Sequence, residues 1–342
     1  MKAVRFHRHG GPEVLQYEEA PDPEPTSDEA LVRVKACALN HLDVWARNGL
    51  PNVTIQMPHI SGSDISGVIE RVPPEEAGFG SGDEVIVNPG MGCGRCDRCL
   101  SGRDDQCSEY KIIGYGTDGG YAELVKVRRT HLIRKPSGMS FEEAASFPLV
   151  FETAYHMLVT KARAGPGEKV LVLAANSGVG IAAVQIAKLL GAEVIATAGD
   201  AQKAEKATRL GADHVVDHYK QDVLAEVKRL TGNRGVDVVV EHVGRATWEG
   251  SVKALAKGGR LVTCGATTGG LAQTDLRYVF SRELTIYGSY MAGMGELLEV
   301  VKLFGQGKLK TVVDSVYQLE MAAEAQSRME GSLHFGKIVL RV

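Results

Sequence analysis

The stretch from Lys169 to Asp200 reads KVLVLAANSGVGIAAVQIAKLLGAEVIATAGD. Two apolar runs of strand length flank a longer apolar segment that opens at a glycine-containing turn, which predicts a strand, a tight turn, a helix and a second strand. Such a unit joins two parallel strands through a helix. A chain that repeats this unit forms a parallel sheet that helices cover on both faces.

The same alternation continues further along the chain. Short runs rich in Val, Ile and Leu are separated by helical patterns, and they read DHVVDH, GVDVVVEHVG, GGRLVTCGA and ELTIYGS. Before Lys169, the stretch FEEAASFPLVFETAYHMLVTKA has helical apolar spacing. The sequence therefore predicts an α/β fold with a doubly wound parallel-sheet domain, which we place at residues 148–290.

The remaining chain has a different character. Up to residue 147, segments such as EALVRVKACAL and GDEVIVNPG alternate apolar and polar residues, and turns with Gly, Pro and Asp separate them. This pattern predicts an antiparallel, barrel-like β domain. The tail, residues 291–342, ends in GKIVLRV. Because a single strand needs a sheet to join, we expect the tail to return to the first domain.

Length and composition limit the class of protein. The 342 residues suit about two domains, and the net charge of -3 gives no general attraction to nucleic acid or to anionic membranes. No run approaches the roughly 18 apolar residues of a membrane span. The N-terminal segment lacks the apolar core of a signal peptide. We therefore expect a cytoplasmic protein whose partner is a small-molecule substrate.

Four of the six cysteines lie in GMGCGRCDRCLSGRDDQC, residues 90–107. In a reducing compartment this clustering favours a metal over disulfides. Four thiolates complete a tetrahedral zinc site and leave no coordination position for a substrate. We therefore predict one structural zinc ion in a lobe at residues 90–110, and the alternative is free or disulfide-bonded cysteines. The predicted ligands are Cys93, Cys96, Cys99 and Cys107.

The turn after the first strand of the opening stretch resembles a dinucleotide-binding turn only in part. Such turns follow G-x-G-x-x-G, which lets the backbone approach a pyrophosphate at a helix N-terminus. Here Ala175, Ser177 and Gly180 take the three glycine positions, and Gly178 is added. The strand–turn–helix context favours a dinucleotide, and the alternative is a flavodoxin-like turn without one. Because ligands bind where parallel strands end, the predicted cofactor-binding residues are Ser177, Gly178, Val179, Gly180, Gly199, Asp200, Lys203, His218, His242, Val243, Gly265, Ala266 and Thr267.

The end of the second strand of that stretch bears on which nicotinamide cofactor binds. An acid there would accept hydrogen bonds from the ribose hydroxyls of NAD, but the chain has Ala198. A missing acid and the nearby Lys203 favour the 2′-phosphate of NADP(H), whereas Asp200 favours NAD(H). The charges together favour NADP(H) over NAD(H). We expect His218 to face the adenine, and the alternative is an ordinary surface histidine.

The chain resembles the medium-chain dehydrogenase/reductase superfamily over essentially its full length. The resemblance rests on GDEV at 82–85, the four-cysteine loop, GGYAELV at 119–125, SGVG at 177–180 and GKIVL at 336–340. It implies a GroES-like β domain, split between residues 1–147 and 291–342, that flanks a Rossmann domain. It also implies a homodimer or homotetramer that forms through the last Rossmann strand, ELTIYGSYM.

The resemblance further bears on whether a catalytic zinc is present. By resemblance, Asn40, Ser63 and Leu149 take the places of the three zinc ligands of zinc alcohol dehydrogenases, and Asp64 stands where a glutamate would be. Amide, hydroxyl and alkyl groups are poor zinc ligands. We therefore expect no catalytic zinc at the usual position. A relocated second metal near His41, His59 and Asp64 stays open.

These residues predict the type of reaction. Without a Lewis acid, alcohol oxidation is difficult, whereas hydride addition to a quinone or an α,β-unsaturated carbonyl needs only hydrogen-bond donors for the enolate. We expect Asn40 to donate to the substrate oxygen, His41 to hold cofactor phosphate, Asp43 to orient a neighbour and Thr153 to place the nicotinamide. Asp64 completes the predicted catalytic set. The alternatives are a zinc-binding alcohol dehydrogenase and a non-catalytic cofactor-binding protein.

Overall fold

The structure, a computed structural model, describes residues 1–50, 53–72 and 78–342. The chain divides into two compact units, the first formed by Met1–Leu149 with Gly293–Val342 and the second by Val150–Ala292. The sequence placed the corresponding boundaries after residues 147 and 290. None of the described helices combines the length and the apolar character that a bilayer crossing needs.

The elements are numbered in chain order over the described residues. The strands are β1 (Lys2–Arg5), β2 (Gln16–Glu19), β3 (Glu29–Ala38), β4 (Asp64–Arg71), β5 (Glu84–Val87), β6 (Gly90–Met91), β7 (Lys111–Ile112), β8 (Leu124–Arg128), β9 (Leu132–Arg134), β10 (Lys169–Val172), β11 (Glu193–Ala198), β12 (His214–Asp217), β13 (Val236–Glu241), β14 (Leu255–Thr263), β15 (Thr285–Gly288), β16 (Val313–Gln318) and β17 (Lys337–Arg341). The α-helices are α1 (His41–Asn48), α2 (Asp97–Leu100), α3 (Phe141–Ala145), α4 (Pro148–Tyr155), α5 (Gly178–Leu189), α6 (Ala201–Arg209), α7 (Val223–Leu230), α8 (Trp248–Ala254), α9 (Leu276–Ser281), α10 (Met294–Gly305) and α11 (Ala322–Glu330).

The first unit is built on a seven-stranded sheet. Its strand order is β16-β17-β3-β4-β5-β9, and β8 pairs with the first half of β3, residues 29–33. All of these pairs are antiparallel except β16 with β17. The strand β17 aligns Val339 with Ala38 of β3, so the tail completes the sheet of the N-terminal domain. Apolar residues that alternate along β3 and β4, such as Val32, Val34 and Ile65, lie in its core.

The second unit contains a six-stranded sheet in the order β12-β11-β10-β13-β14-β15, and every neighbouring pair is parallel. Its central strands consist almost entirely of buried Val, Ile and Leu residues, as strands covered on both faces do. The strand order reverses between β10 and β13, and ligands of doubly wound sheets bind outside the carboxyl ends at such a point. The α/β fold class predicted from the alternating runs is confirmed.

The helical spacing of the segment before β10 is confirmed, and the structure divides it into three helical segments. The segment from Phe141 to Lys161 is not a single helix but α3, α4 and a π-helical turn at His156–Lys161. Proline lacks a backbone N–H and restricts the preceding residue, so it favours the start of a helix over its interior. Pro148 accordingly begins α4, and the capping box of Ser140 and Glu143 begins α3 separately.

Candidate functional site

The four cysteines of the loop come together in one cluster. Their sulfur atoms all lie within 4.8 Å of one another, with 3.9 Å between Cys93 and Cys99 and 3.6 Å between Cys96 and Cys99. Thiolates at the zinc–sulfur distance of about 2.3 Å in a tetrahedron are about 3.8 Å apart. The cluster therefore fits a structural zinc ion, which Cys93, Cys96, Cys99 and Cys107 would hold with no open coordination position.

Backbone amides support this cluster. The N–H groups of Cys93 and Glu109 each donate to the Cys107 sulfur at 3.3 Å. Hydrogen bonds from the backbone of Arg95 and Cys96 lower the pKa of the Cys93 thiol to about 6. Helix α2 of the lobe contributes no buried residue. The lobe therefore depends on its ligand cluster for cohesion, since it has little apolar core.

Elsewhere in the first unit, three polar side chains meet around Asn40, the residue that precedes α1. The Asn40 side-chain amide Nδ2 donates to the Asp64 carboxylate at 2.9 Å. Its Oδ1 accepts a hydrogen bond from the Lys337 ammonium at 2.6 Å. Asn40 is buried, and Lys337 is only 5% exposed. An amide thus bridges an ammonium and a carboxylate, and this buried group, together with the side chains that contact it, is called the Asn40 pocket below.

Asp64, the first residue of β4, is the counter-ion of this pocket. It is 0% exposed, and its Oδ2 lies 2.9 Å from Lys337 Nζ in a buried ion pair. The other oxygen, Oδ1, accepts the backbone N–H of Leu149 at 2.8 Å. With Asn40 included, the carboxylate accepts three hydrogen bonds. Asp64 therefore balances the lysine charge and fixes the backbone at Leu149.

Asp43 lies beneath Asn40 and orients it. Its Oδ2 accepts the Asn40 backbone N–H at 2.8 Å and the Tyr121 hydroxyl at 2.9 Å. Its Oδ1 accepts the N–H of Gly62 at 3.2 Å. Burial raises the pKa of Asp43 to about 6 and raises the pKa of Tyr121 well above its usual value. A methyl group at Gly62 would lie 2.5 Å from the Tyr121 ring, so only glycine fits there.

The two histidines considered for a second metal lie in different surroundings. His41 is the first residue of α1, and its ring centroid is 6.4 Å from that of Trp45. His59 contacts the Gly114 carbonyl at 3.0 Å, and burial lowers its pKa. Across residues 1–50, 53–72 and 78–342, the four cysteines are the one group of three or more His, Cys, Asp or Glu side chains whose ligand atoms come this close.

Sequence reasoning missed two members of the pocket. GKIVL was recognised at residues 336–340, but Lys337 received no role; a lysine directly before the apolar run IVL of the final strand is the signal that could have identified it. Tyr121 was likewise part of a recognised motif without a role. Both are buried and both contact the predicted catalytic residues. They connect Asn40, Asp43 and Asp64 into one hydrogen-bonded group.

In the second unit, the turn before α5 is shaped as a dinucleotide turn requires. The Ser177 hydroxyl accepts the N–H of Gly180 at 2.9 Å and begins the helix at Gly178. A methyl group at Gly180 would lie 2.2 Å from the Ala174 carbonyl oxygen. The chain therefore keeps the one glycine of the motif that close helix–strand packing requires. The start of a twelve-residue helix leaves N–H groups of its first turn available to a phosphate.

The loops after β13 and β14 lie beside this turn. His242 Nε2 is 3.0 Å from the Leu173 carbonyl oxygen and 3.5 Å from the Ser177 hydroxyl. Thr267 donates its hydroxyl to the His242 carbonyl at 3.3 Å. Burial lowers the pKa of His242. The structure thus brings most of the predicted cofactor-binding residues to one edge of the sheet. These residues are Ser177, Gly178, Val179, Gly180, His242, Val243, Gly265, Ala266 and Thr267.

The remaining predicted cofactor-binding residues surround the carboxyl end of β11, and they are Gly199, Asp200, Lys203 and His218. Asp200 is the N-cap of α6, because its carboxylate accepts the N–H of Lys203 at 2.8 Å, and the Lys203 ammonium lies 3.7 Å from it. His218 donates its backbone N–H to Ala198 at 3.1 Å. A methyl group at Gly199 would lie 2.8 Å from the ring of Tyr219, an exposed aromatic residue that sequence reasoning did not select.

Thr153 belongs to the second unit. It lies on α4 and is buried, and its hydroxyl has no hydrogen-bond partner among the described residues. A buried hydroxyl without a partner costs free energy that a bound group can recover. Its predicted contact with the nicotinamide stays a prediction.

Comparison with known proteins identifies the family. The family model for the alcohol dehydrogenase GroES-like domain matches residues 26–137, and that for zinc-binding dehydrogenase matches residues 178–306. The first match covers most of the N-terminal part of the β domain, including the cysteine lobe, and the second begins at the first residue of α5.

Individual relatives extend over nearly the whole chain. An NAD-dependent alcohol dehydrogenase from Saccharolobus solfataricus is 34% identical over 353 residues, 99% of each chain. A crotonyl-CoA reductase from Streptomyces collinus is 33% identical and covers 95% of this chain and 80% of its own. A crystal structure of an NAD-dependent alcohol dehydrogenase is 48% identical and superposes with a TM-score of 0.96 over 100% of both chains. The chain therefore belongs to the medium-chain dehydrogenase/reductase superfamily and is an NAD(P)-dependent oxidoreductase.

Proposed function

We propose that this enzyme reduces a carbonyl-conjugated acceptor, a quinone or an α,β-unsaturated carbonyl compound, without a catalytic zinc. The observation that carries the proposal is the chemistry of the Asn40 pocket. It holds an amide, a carboxylate and the Lys337 ammonium in mutual contact. A pocket that already contains a fixed cation and offers neither thiolate nor imidazole is a poor zinc site. The same groups suit an acceptor whose developing negative charge is delocalised.

Each residue of the pocket has a place in such a reaction. When bound, the dihydronicotinamide supplies the hydride. Asn40 has two amide N–H donors, of which Asp64 accepts one, so the second can donate to the substrate oxygen. Asp43 and Tyr121 hold the Asn40 backbone in position. Preorganised donors of this kind stabilise the enolate oxygen as charge accumulates on it.

The cofactor is proposed to be NADPH. No acidic side chain ends β11, and Lys203 and His218 lie near that end. The carboxylate of Asp200, which would favour NADH, is engaged as the helix cap of α6. Its charge is also partly balanced by the Lys203 ammonium at 3.7 Å. These contacts support a site for the 2′-phosphate over a site for two free ribose hydroxyls.

The relatives support both this proposal and one alternative. The crotonyl-CoA reductase of Streptomyces collinus is named for the reduction of an enoyl compound, which is an activated acceptor of the proposed kind. The structure with 48% identity is of an NAD-dependent alcohol dehydrogenase, and this identity favours alcohol oxidation as the alternative. The alternative is favoured by a second metal ion, because a Lewis acid stabilises the alkoxide.

Metal analysis combined with a substrate panel distinguishes reduction of an activated acceptor from alcohol oxidation. The purified enzyme is assayed with NADPH and NADH against 2-cyclohexen-1-one, 1,4-benzoquinone and a series of primary alcohols, and its zinc content is measured by mass spectrometry. We expect one zinc per subunit, faster turnover with NADPH, and acceptor reduction that survives a brief treatment with a chelator. Two zinc ions per subunit, with alcohol oxidation that the chelator abolishes, would instead establish the alternative.

A further inference from the structure

We propose that Lys337 is a catalytic residue whose ammonium takes over, for the substrate oxygen, the electrostatic role of a metal ion. The proposal rests on the proposed function and specifies how the Asn40 pocket would perform it. Lys337 is the first residue of the final strand β17, and its side chain reaches the pocket from that strand.

The Lys337 ammonium has unused hydrogen-bond capacity among the described residues. An ammonium has three N–H donors and no acceptor. Over the described parts of the chain, two acceptors engage it, Asn40 Oδ1 at 2.6 Å and Asp64 Oδ2 at 2.9 Å. One N–H of the ammonium and one N–H of the Asn40 amide are therefore left for a ligand. Two such donors beside one another form the kind of site that binds an oxyanion.

A neighbouring hydroxyl is a second observation. Ser63, which precedes Asp64 in the chain, is completely buried, and its Oγ has no hydrogen-bond partner among the described residues. A buried hydroxyl in that state costs about 1–3 kcal/mol, so native structures rarely keep one without a reason. A ligand oxygen or a water molecule would satisfy it. The unsatisfied hydroxyl therefore favours a polar ligand in this part of the first unit, independently of the lysine.

The buried ion pair of Lys337 and Asp64 serves more than stability. Burying an ion pair costs free energy and rarely improves stability compared with an apolar pair. The cation is fixed by two partners, so it needs no reorganisation when negative charge develops nearby. Asp64 accepts three hydrogen bonds, which keeps the carboxylate turned toward its donors. The pair therefore supplies a positive charge whose position is set before the substrate arrives.

Bound NADPH would supply a hydride to the β-carbon of the acceptor and would become NADP⁺. The π electrons of the Cα–Cβ bond would move to the Cα–C bond, and those of the C=O bond would move onto oxygen to give an enolate. The enolate oxygen would accept hydrogen bonds from Lys337 and Asn40, and the ammonium would keep its proton. Water would then give a proton to the α-carbon, which leaves hydroxide and the saturated carbonyl compound.

The test compares variants of the charged pair. Because Lys337→Met alone leaves a buried carboxylate uncompensated and can prevent folding, the main variant is Lys337→Met with Asp64→Asn, which removes both charges. Lys337→Arg keeps the positive charge, and Arg341→Gln, an exposed position on the same strand, is the matched control. Each variant is checked for its melting temperature, its NADPH affinity by fluorescence titration, and its kcat with 2-cyclohexen-1-one and with 1,4-benzoquinone.

We expect the double variant to fold, to bind NADPH as the wild type does, and to lose about 10²–10³-fold in kcat with the enone, as the loss of an oxyanion donor does elsewhere. The loss with the quinone should be smaller, since an electron-poor ring delocalises the charge itself. Lys337→Arg should retain most activity and Arg341→Gln all of it. A double variant with wild-type kcat, equal losses for both acceptors, or a loss confined to NADPH affinity would overturn the assignment. Absence of acceptor reduction in the wild type would instead refute the proposed function.

Discussion

At the scale of single residues, the first unit places charged groups in its interior and compensates each one locally. The guanidinium of Arg47, which is fully buried, donates to the Gly10 carbonyl at 3.1 Å and to Gln326 and Glu330 at 2.6 and 2.8 Å. Removing one partner of a buried pair costs about 3–5 kcal/mol, whereas replacing both can be nearly neutral. Single substitutions at such sites therefore report on stability, and paired substitutions are needed to report on chemistry.

A buried histidine gives a prediction for the pH dependence of stability. Burial lowers the pKa of His131 to about 4. In the unfolded chain its pKa returns to about 6.5, so between these values the unfolded state binds more protons and stability falls as the pH falls. Full titration costs about 3 kcal/mol at about 1.4 kcal/mol per pKa unit.

We expect His131→Gln to unfold with a free energy that changes less between pH 7 and pH 4.5 than that of the wild type, as measured by urea titration. His214→Gln, at a partly exposed position, is the control and should keep the wild-type slope. An unchanged slope for His131→Gln would show that His131 is not a source of the acid sensitivity.

At the scale of single elements, close packing against Ala174 determines which residues the turn into α5 can contain, more than the number of glycines in the motif does. The motif keeps only its third glycine, and the structure shows why that one cannot change: a methyl group at Gly180 would lie 2.2 Å from the Ala174 carbonyl oxygen. Ser177 replaces the second glycine and caps the helix instead. A motif search that weighs the three glycines equally therefore underrates this turn.

The same contact predicts a selective effect of Gly180→Ala. The backbone of Ala174 cannot move without displacing β10, so the start of α5 must shift away from the phosphate position. We expect NADPH affinity to fall at least tenfold, measured by fluorescence titration. Gly250→Ala in α8 is the control, because a methyl group there meets nothing within 4 Å. It should leave affinity unchanged and raise stability by about 0.5–1 kcal/mol. Equal affinities of the two variants would contradict the assigned role of the turn.

The cysteine lobe is an element held by its ligands. Asp104 in the lobe accepts the backbone N–H of Met294 at 3.1 Å, so the lobe contacts the start of α10 within the same unit. Cys107→Ser should lower the zinc content from one per subunit to near zero and increase hydrogen exchange at residues 90–110. Cys264→Ser, outside the cluster, should retain the metal. Retention of zinc by Cys107→Ser would show that the metal has another site.

At the scale of the whole molecule, the sequence predicted the architecture better than it predicted the pocket. Parallel strands such as β13 carry runs of consecutive valines that indicate their type of sheet locally, and the four cysteines lie within fifteen residues of one another. The contact of Lys337 with Asn40 spans 297 positions and exists only because β17 joins β3 in one particular register. Registers between distant strands leave no local pattern, so the predicted catalytic set lacked its cation.

The edge of the parallel sheet offers a surface for assembly. The strand β15 lies at the edge of its sheet, where backbone groups can pair with another chain. Exposed apolar residues lie on and near this strand, a pattern typical of an interface, and they are Ile286, Tyr290, Phe280 and Leu276.

We expect a homodimer through β15, with twice the 36.7 kDa chain mass in light scattering. Ile286→Lys should yield monomers because it places a charge at the pairing edge, whereas Leu333→Lys, also exposed, should not. A wild-type monomer at micromolar concentration, or a dimer that Ile286→Lys leaves intact, would exclude this edge as the interface.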